Sequence, residues 1–361
     1  MGLGAWMCGL IGAGAVVATA GFILLIFQLI FLLHKRMCTP ILPCTWTKAV
    51  EPPNDKDYHT SADFGKSFTF KEIEECCEGF SNLIGETRLY HVYKGILHDG
   101  TEVAVKRAKK CAEIQIEIER NFHFQVELLS RIHHQYLANL IGFCEEKQQR
   151  LLVFQYAPNG SLFNNLHGDD ECLSWKQRMG VAVGTASALA YLHQSCGYTI
   201  VHGDLTSHNV LLADDFSAKV CGIGMQVQST LVNTPKGQVA SGDSVDFKGR
   251  GMKSLSDDVY SFGVLLLELI SGKSAFSENP GKIVEWASQF LQSREQMTIL
   301  ADAALKNVVP VELYSVCEIA RLCIQTEAAS RPGMEEVLFM LVQSLGIGLE
   351  QGAAPLNDAV A

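Results

Sequence analysis

The groups best suited to handling phosphate or a hard cation sit in four short stretches of the chain. They are an amine in EVAVKRA (Lys106), a carboxylate and an amide in VHGDLTSHN (Asp204, Asn209), a glycine triplet in AKVCGIGM (Gly222-Ile223-Gly224) and the turn IGETRLYHVYKG. A hard cation such as Mg²⁺ takes oxygen ligands, so Asp204 and Asn209 could contribute whereas Gly222 has no side chain to offer. The twelve cysteines bring no rival metal chemistry: they lack C-x-x-C pairs and zinc spacing, and only Cys76 and Cys77 are adjacent. They read as reduced, mostly buried thiols in a domain too large to need a disulfide framework.

The elements that must position these groups follow a membrane-like segment. Residues 9–33 read GLIGAGAVVATAGFILLIFQLIFLL with no charge, enough to cross the ~30 Å hydrocarbon layer with some tilt. Ala18-Thr19-Ala20 resembles a cleavage site, yet no basic residue precedes the run and cleavage would leave an apolar stretch, so a single transmembrane helix is expected. His34-Lys35-Arg36 follows the span and no lysine or arginine precedes it, which places the large C-terminal part in the cytoplasm at the plasma membrane. Residues 1–8 would be a short extracellular N-terminus, too small to sense a ligand. Gly9 with Ala13 and Gly14 with Ala18 give small-xxx-small spacing that permits homo- or hetero-oligomers, and are equally the ordinary small residues of a membrane helix. Cys38 and Cys44 lie where palmitoylation is an option, while Trp6 weakens a myristoylation reading of Gly2.

Residues 34–67 form a Pro-, Asp- and Thr-containing juxtamembrane linker, and 347–361 an unstructured tail. Between them, SFTFKEIEECCEGFSNLIG reads as an amphipathic helix leading into a strand, and TEVAVKRA and LLVFQYA as strands. After Ser174 the pattern turns helical: WKQRMGVAVGTASALAYLH has one apolar face, and DDVYSFGVLLLELISG is apolar nearly all round and belongs in the middle of a domain. A strand-rich lobe therefore precedes a helical one. The net charge of −10 and the lack of a long basic block argue against nucleic acid as a partner.

From Phe68 to about Leu345, FTFKEI, VYKG, VAVK, LLSRIHH, LIGFC, LLVFQYAPNGSL, AYLH, HNVLL, DVYSFGVLLLELISG and RP-M-EEV occur in one order. In that order they resemble the cytoplasmic kinase domain of plant receptor-like serine/threonine kinases. The resemblance implies an α+β, bilobal protein-kinase-like fold over 68–346, with a small β-rich N-lobe and a large helical C-lobe.

Carried over residue by residue, the resemblance breaks where phosphate chemistry is done. Of the glycines that let loop amides lie against ATP phosphates only Gly85 remains; Thr87 and the bulky Tyr90 stand at the others, so close phosphate approach is expected to be hindered. Lys106 matches the phosphate-contacting lysine, but its glutamate partner is Gln125, which can hydrogen-bond an ammonium and cannot neutralise it. Asp204 matches the catalytic aspartate and Asn209 a metal ligand; both are read as vestigial. Gly203 replaces the arginine that reads an activation-loop phosphate, Thr206 the lysine that steadies the transferred phosphoryl group, and Gly222 the metal carboxylate. The packing positions are kept. Val92, Ala104 and Leu211 stand where adenine is sandwiched. Leu129, His202, Ile223 and Asp258 stand in the regulatory stack, and Arg331 stands where it could pair with Asp246 at the end of the activation segment.

The resemblance thus implies a membrane-anchored pseudokinase acting as scaffold, co-receptor or allosteric partner of active receptor-like or cytoplasmic kinases. No cofactor or metal is expected, and ATP binding is expected to be weak or absent. The alternative is a weakly active kinase using Lys106, Asp204 and Asn209. Ser229, Thr230, Thr234, Ser241 and Ser244 would be accessible to an active partner kinase, or are only the hydroxyls of a solvated loop.

Overall fold

A computed structural model describes residues 65–168, 172–195, 199–223, 231–232, 254–275 and 282–346. The expected membrane helix (9–33), most of the linker, the activation-segment hydroxyls, Asp246 and the tail lie outside them. Among the described residues no helix is long and apolar enough to cross a membrane.

The N-lobe begins with β1 (Lys66–Ser67) and α1 (Phe70–Cys76). Thr69 starts α1 by a reciprocal cap: its hydroxyl accepts from the Glu72 N–H at 3.2 Å, and the Glu72 carboxylate accepts the Thr69 N–H at 2.7 Å. Those bonds to Thr69 hold the Glu72 carboxyl below its usual pKa. Then come β2 (Leu83–Glu86), β3 (Tyr90–Ile96), β4 (Glu102–Ala108), α2 (Ala112–Arg131), β5 (Leu140–Glu146) and β6 (Gln149–Gln155). The sheet order is β1-β5-β6-β4-β3-β2, antiparallel except where β1 joins β5. Gly142 permits that junction, because a Cβ there would meet the Lys66 carbonyl at 2.2 Å.

The period of two in EVAVKRA divides the lobe. Val103 and Val105 pack outward with Leu151, Val153 and Cys144 against Phe68, Ile73 and Cys77 beside α1. On the opposite face Tyr90, Ala108, Leu152 and Phe154 join Ile118, Phe122, Val126 and Leu129 of α2. This second face carries Lys106, since Val92 pairs with Lys106 and Tyr90 with Ala108 in the β3–β4 register.

The C-lobe is helical, with two small two-stranded sheets. Its elements are α3 (Leu162–His167), α4 (Trp175–Ala190), β7 (Thr199–Ile200), β8 (Val210–Leu212), β9 (Ala218–Val220), β10 (Leu231–Val232), α5 (Leu255–Ser271), α6 (Lys282–Ser288), α7 (Arg294–Met297), α8 (Pro310–Cys323) and α9 (Met334–Ser344). Helix α5, apolar nearly all round, is the central one: Val259, Phe262, Leu265, Leu266, Leu269 and Ile270 are all buried. Arg178 is 1 % exposed and ties α4 to its surroundings, donating to the Leu173 and Leu269 carbonyls at 3.0 Å and to Asp302 at 2.7 Å. The connector between α2 and β5 is anchored by His134. Its ring stacks on Tyr191 at 4.9 Å, its Nδ1 accepts the Tyr136 N–H at 3.3 Å, and its Nε2 lies 3.4 Å from Ser187 Oγ.

Two outcomes follow. Arg178→Ala strips a buried charge network and leaves carbonyls and Asp302 without their partner, so denaturant unfolding should register a loss of roughly 3–5 kcal/mol. Burial, with the Lys219 ammonium adding to it, holds the His134 imidazole below its ordinary pKa. Its contribution to stability is therefore complete above the unfolded value of about 6.5 and is lost as pH falls through that value towards the folded one. Urea midpoints measured from about pH 8 down to about pH 5 should fall, and His134→Gln should flatten that slope.

Candidate nucleotide and phosphate site

The site is built outward from Asp258 in the first turn of α5, a carboxylate only 1 % exposed. Its Oδ2 accepts the His202 N–H at 2.8 Å and its Oδ1 the Gly203 N–H at 2.8 Å, while His193 Nε2 stands 3.0 Å from Oδ2. Presenting two successive amides to one carboxylate turns the backbone left-handed at Gly203, with φ +78°. Glycine adopts that conformation without strain; the arginine implied by the resemblance would bear the cost of a left-handed backbone.

His202 carries the constraint onward. Its Nδ1 accepts the Asp204 N–H at 3.2 Å, which leaves Nε2 as the protonated nitrogen, donating to the Cys221 carbonyl at 3.0 Å. The Cys221 N–H returns to the Asn209 carbonyl at 2.8 Å. Asn209 in turn donates its amide to the Asp204 carbonyl at 2.8 Å and to Asp204 Oδ2 at 3.1 Å. Thus Asp204, exposed, and Asn209, half-buried, are held together, and Gly222 arrives beside them. A Cβ on Gly222 would lie 3.3–3.4 Å from the Asn209 side chain, at a backbone φ of +95°.

The backbone therefore still brings residue 222 to Asn209, and only the side chain is missing. At the two positions that the resemblance gives to the metal stand Gly222, with no side chain, and the neutral amide of Asn209, which do not fit a magnesium–phosphate complex that takes one or two carboxylates beside the phosphates. Among the described residues no group of three or more His, Cys, Asp or Glu side chains could hold a metal ion. Thr206 is half-buried just ahead of the short turn Ser207–Asn209 and supplies a hydroxyl where the resemblance implies a lysine. Burial pushes the Cys221 thiol above its usual range, with the Lys106 charge opposing and that of Asp204 adding, which marks Cys221 as a neighbour of both.

Above the cleft, residues 87–90 close on themselves. The Thr87 N–H donates to the Tyr90 carbonyl at 2.8 Å, and the Tyr90 N–H to Thr87 Oγ1 at 3.0 Å, so the amide at the third glycine position is already taken. The bulk of Tyr90 falls beneath the loop. The residue is 1 % exposed, on the sheet face that carries Lys106, and its hydroxyl donates to Gln125 Oε1 at 3.2 Å. Burial and the nearby Glu117 charge raise the phenol pKa, keeping that proton in place. Gln125, 5 % exposed, thus receives Tyr90, and Lys106 has no hydrogen bond or ion pair to a described residue. Its ammonium lies over the Phe154 ring, 5.1 Å from the centroid.

Val92 and Ala104 share the face of Lys106, Leu211 comes from the β8–β9 hairpin of the other lobe, and all three are half-buried. Gly85 lies in the fully exposed β2. Leu129, His202, Ile223 and Asp258 are all buried. Arg331 donates to the carbonyls of Ser256 and Gln325, each at 2.8 Å, and lies over the Tyr260 ring; Asp246 is outside the described residues. Sequence reasoning missed three contacts: Phe154 under Lys106, His193 on Asp258, and Arg88 on Glu117. Each joins residues far apart in the chain, 29 for Arg88 and Glu117 and 65 for His193 and Asp258, so only the three-dimensional register brings them together.

Residues 79–341 match the family model for protein tyrosine and serine/threonine kinases. Among curated proteins of Arabidopsis thaliana, the chain is 36 % identical to Protein MALE DISCOVERER 2 over 93 % of its own length and 49 % of that protein. It is 38 % identical to the proline-rich receptor-like protein kinase PERK8 over 75 % of its own length and 42 % of that protein. The chain thus spans about half the length of the curated relatives it matches. Among solved structures it is similar to an apo pseudokinase (TM-score 0.64, 30 % identity, 80 % of this chain and 100 % of that one). It is also similar to the pseudokinase DRIK1, drought responsive inactive kinase 1, bound to ENMD-2076 (TM-score 0.63, 28 % identity, 79 % and 98 %). With the bilobal fold and the residual catalytic loop, these matches establish that the chain belongs to the protein kinase family, with a kinase domain of the plant receptor-like type.

Proposed function

We propose that this protein is a membrane-anchored pseudokinase that works by binding, as a scaffold, co-receptor or allosteric partner of active receptor-like or cytoplasmic kinases. The observation that carries the reading is Gly222: its backbone still lies against Asn209, and no carboxylate comes with it. The apo pseudokinase and DRIK1 similarities support it, as does the closed 87–90 turn with its occupied amide.

Magnitudes favour inactivity over slowness. Removing one electrostatic stabiliser costs roughly 10²–10³ in rate. Here the metal carboxylate, the phosphate-steadying lysine, the ion-pair glutamate and two loop glycines are all replaced. Even with strongly non-additive effects, a turnover of about 1–100 s⁻¹ would sink below a useful rate. ATP affinity is weak or absent on the same grounds.

The membrane anchor rests on the uncharged 9–33 run followed by His34-Lys35-Arg36. Confinement to the inner leaflet would raise the effective concentration of partner kinases without adding a contact. The alternative, a weak kinase using Lys106, Asp204 and Asn209, draws on one observation: Asn209 still holds the Asp204 side chain at 3.1 Å.

Incubated with ATP and Mg²⁺ or Mn²⁺, the full-length chain should transfer no phosphate above background, and Asp204→Asn should change nothing. Transfer abolished by Asp204→Asn in a folded protein would establish the alternative instead. Gly222→Asp should leave transfer at background, because Thr206 and the 87–90 turn remain. The positive φ should make that variant less stable by roughly 1 kcal/mol in thermal unfolding.

A further inference from the structure

The turn that stands in place of a glycine-rich loop also grips a helix. The Arg88 guanidinium donates two N–H groups to the Glu117 carboxylate, at 2.9 and 2.5 Å. The Tyr90 hydroxyl reaches Gln125, and the Lys109 N–H, just ahead of α2, reaches the Leu89 carbonyl at 2.9 Å. Glu117 and Gln125 are eight residues apart on α2, so they project within about 80° of each other and roughly 12 Å apart along the axis. One grip is ionic and partly exposed; the other is neutral and buried, with Tyr90 packed in one core with Leu89, Phe122 and Val126.

In active relatives the resemblance assigns the ordering of this region to the nucleotide, which the loop amides cover, and to the lysine–glutamate ion pair. Here Gln125, at the glutamate position, accepts from Tyr90 instead, and Lys106 lies over Phe154. We propose that the 87–90 turn is a built-in strut, through which Tyr90 and Arg88 hold the β2–β3 hairpin on α2 in the ligand-free chain. The surface formed by hairpin and helix is then fixed without nucleotide, so a partner meets the same N-lobe whatever the ATP concentration. The strut stands or falls independently of phosphate transfer.

Native-state amide exchange on the full-length chain without nucleotide tests it. The wild type should protect residues 87–90 and α2 together. Tyr90→Phe and Gln125→Met remove the two sides of one hydrogen bond at nearly constant volume. Each should lower protection across both segments by roughly five-fold, as one buried hydrogen bond carries. The losses in the double variant should be less than additive, since both lesions break the Tyr90–Gln125 bond. Arg88→Ala, at an exposed site that puts the fold at no risk, should lower protection of the same two segments by a smaller factor, and saturating ATP with Mg²⁺ should alter none of the profiles. Additive losses, losses confined to the turn, or a wild-type turn that exchanges freely until ATP is added would each overturn the strut.

Discussion

A buried carboxylate on the central helix sets the geometry of everything around the cleft. Asp258 sits where water cannot solvate it, so the charge is tolerable only because the His202 and Gly203 amides and the His193 ring converge on it. Hydrogen bonds to a charged group are worth about 1.5–3 kcal/mol each, more than a neutral pair. The catalytic-loop backbone is therefore pinned from the C-lobe core. From that backbone the His202 ring fixes Cys221, and Cys221 with Asn209 fixes residue 222. None of these bonds uses a nucleotide or a metal. The frame therefore stands on the protein's own groups, whatever chemistry is done beside it.

The N-lobe shows the same separation between packing and chemistry. Its sheet is apolar on both faces: the outer one closes against Phe68 and Ile73, and the inner one against α2. On the inner face Tyr90 adds a large apolar body to a core that contains Phe122 and Leu152, and its hydroxyl finds the buried Gln125 amide. With an ionised glutamate at position 125 that contact would set a phenol against a charge which Lys106 should neutralise. Glutamine removes the charge and keeps the acceptor. Tyr90 and Gln125 therefore make one consistent arrangement.

What the sequence disclosed and what it withheld divide along physical lines. Strands at EVAVKRA and LLVFQYA, and the central position of DVYSFGVLLLELISG, follow from periodicities of two and 3.6, and the structure has them as β4, β6 and α5. The helix in SFTFKEIEECCEGFSNLIG is shorter than its pattern and ends at Cys76, after which residues 78–80 all take positive φ. The readings at 87, 90, 125, 203, 206 and 222 each rest on a change of chemical type within a recognisable motif, which the sequence alone displays. The direction in which Tyr90 points was not legible, since bulk at a loop position says nothing of which side of the sheet receives it. Nor was Lys106 resting on Phe154, a contact between strands whose pairing follows only from the three-dimensional register.

Gly203 bears on how such a protein changes over time. Its left-handed backbone is dictated by Asp258, and in the absence of a side chain that shape comes without torsional penalty. Once glycine is there, neighbouring mutations are selected on a relaxed loop. Placing a bulky cation there would then have to overcome the torsional penalty of that backbone. A glycine at this position behaves as a ratchet, easy to enter and hard to leave, and its pawl is a single dihedral angle.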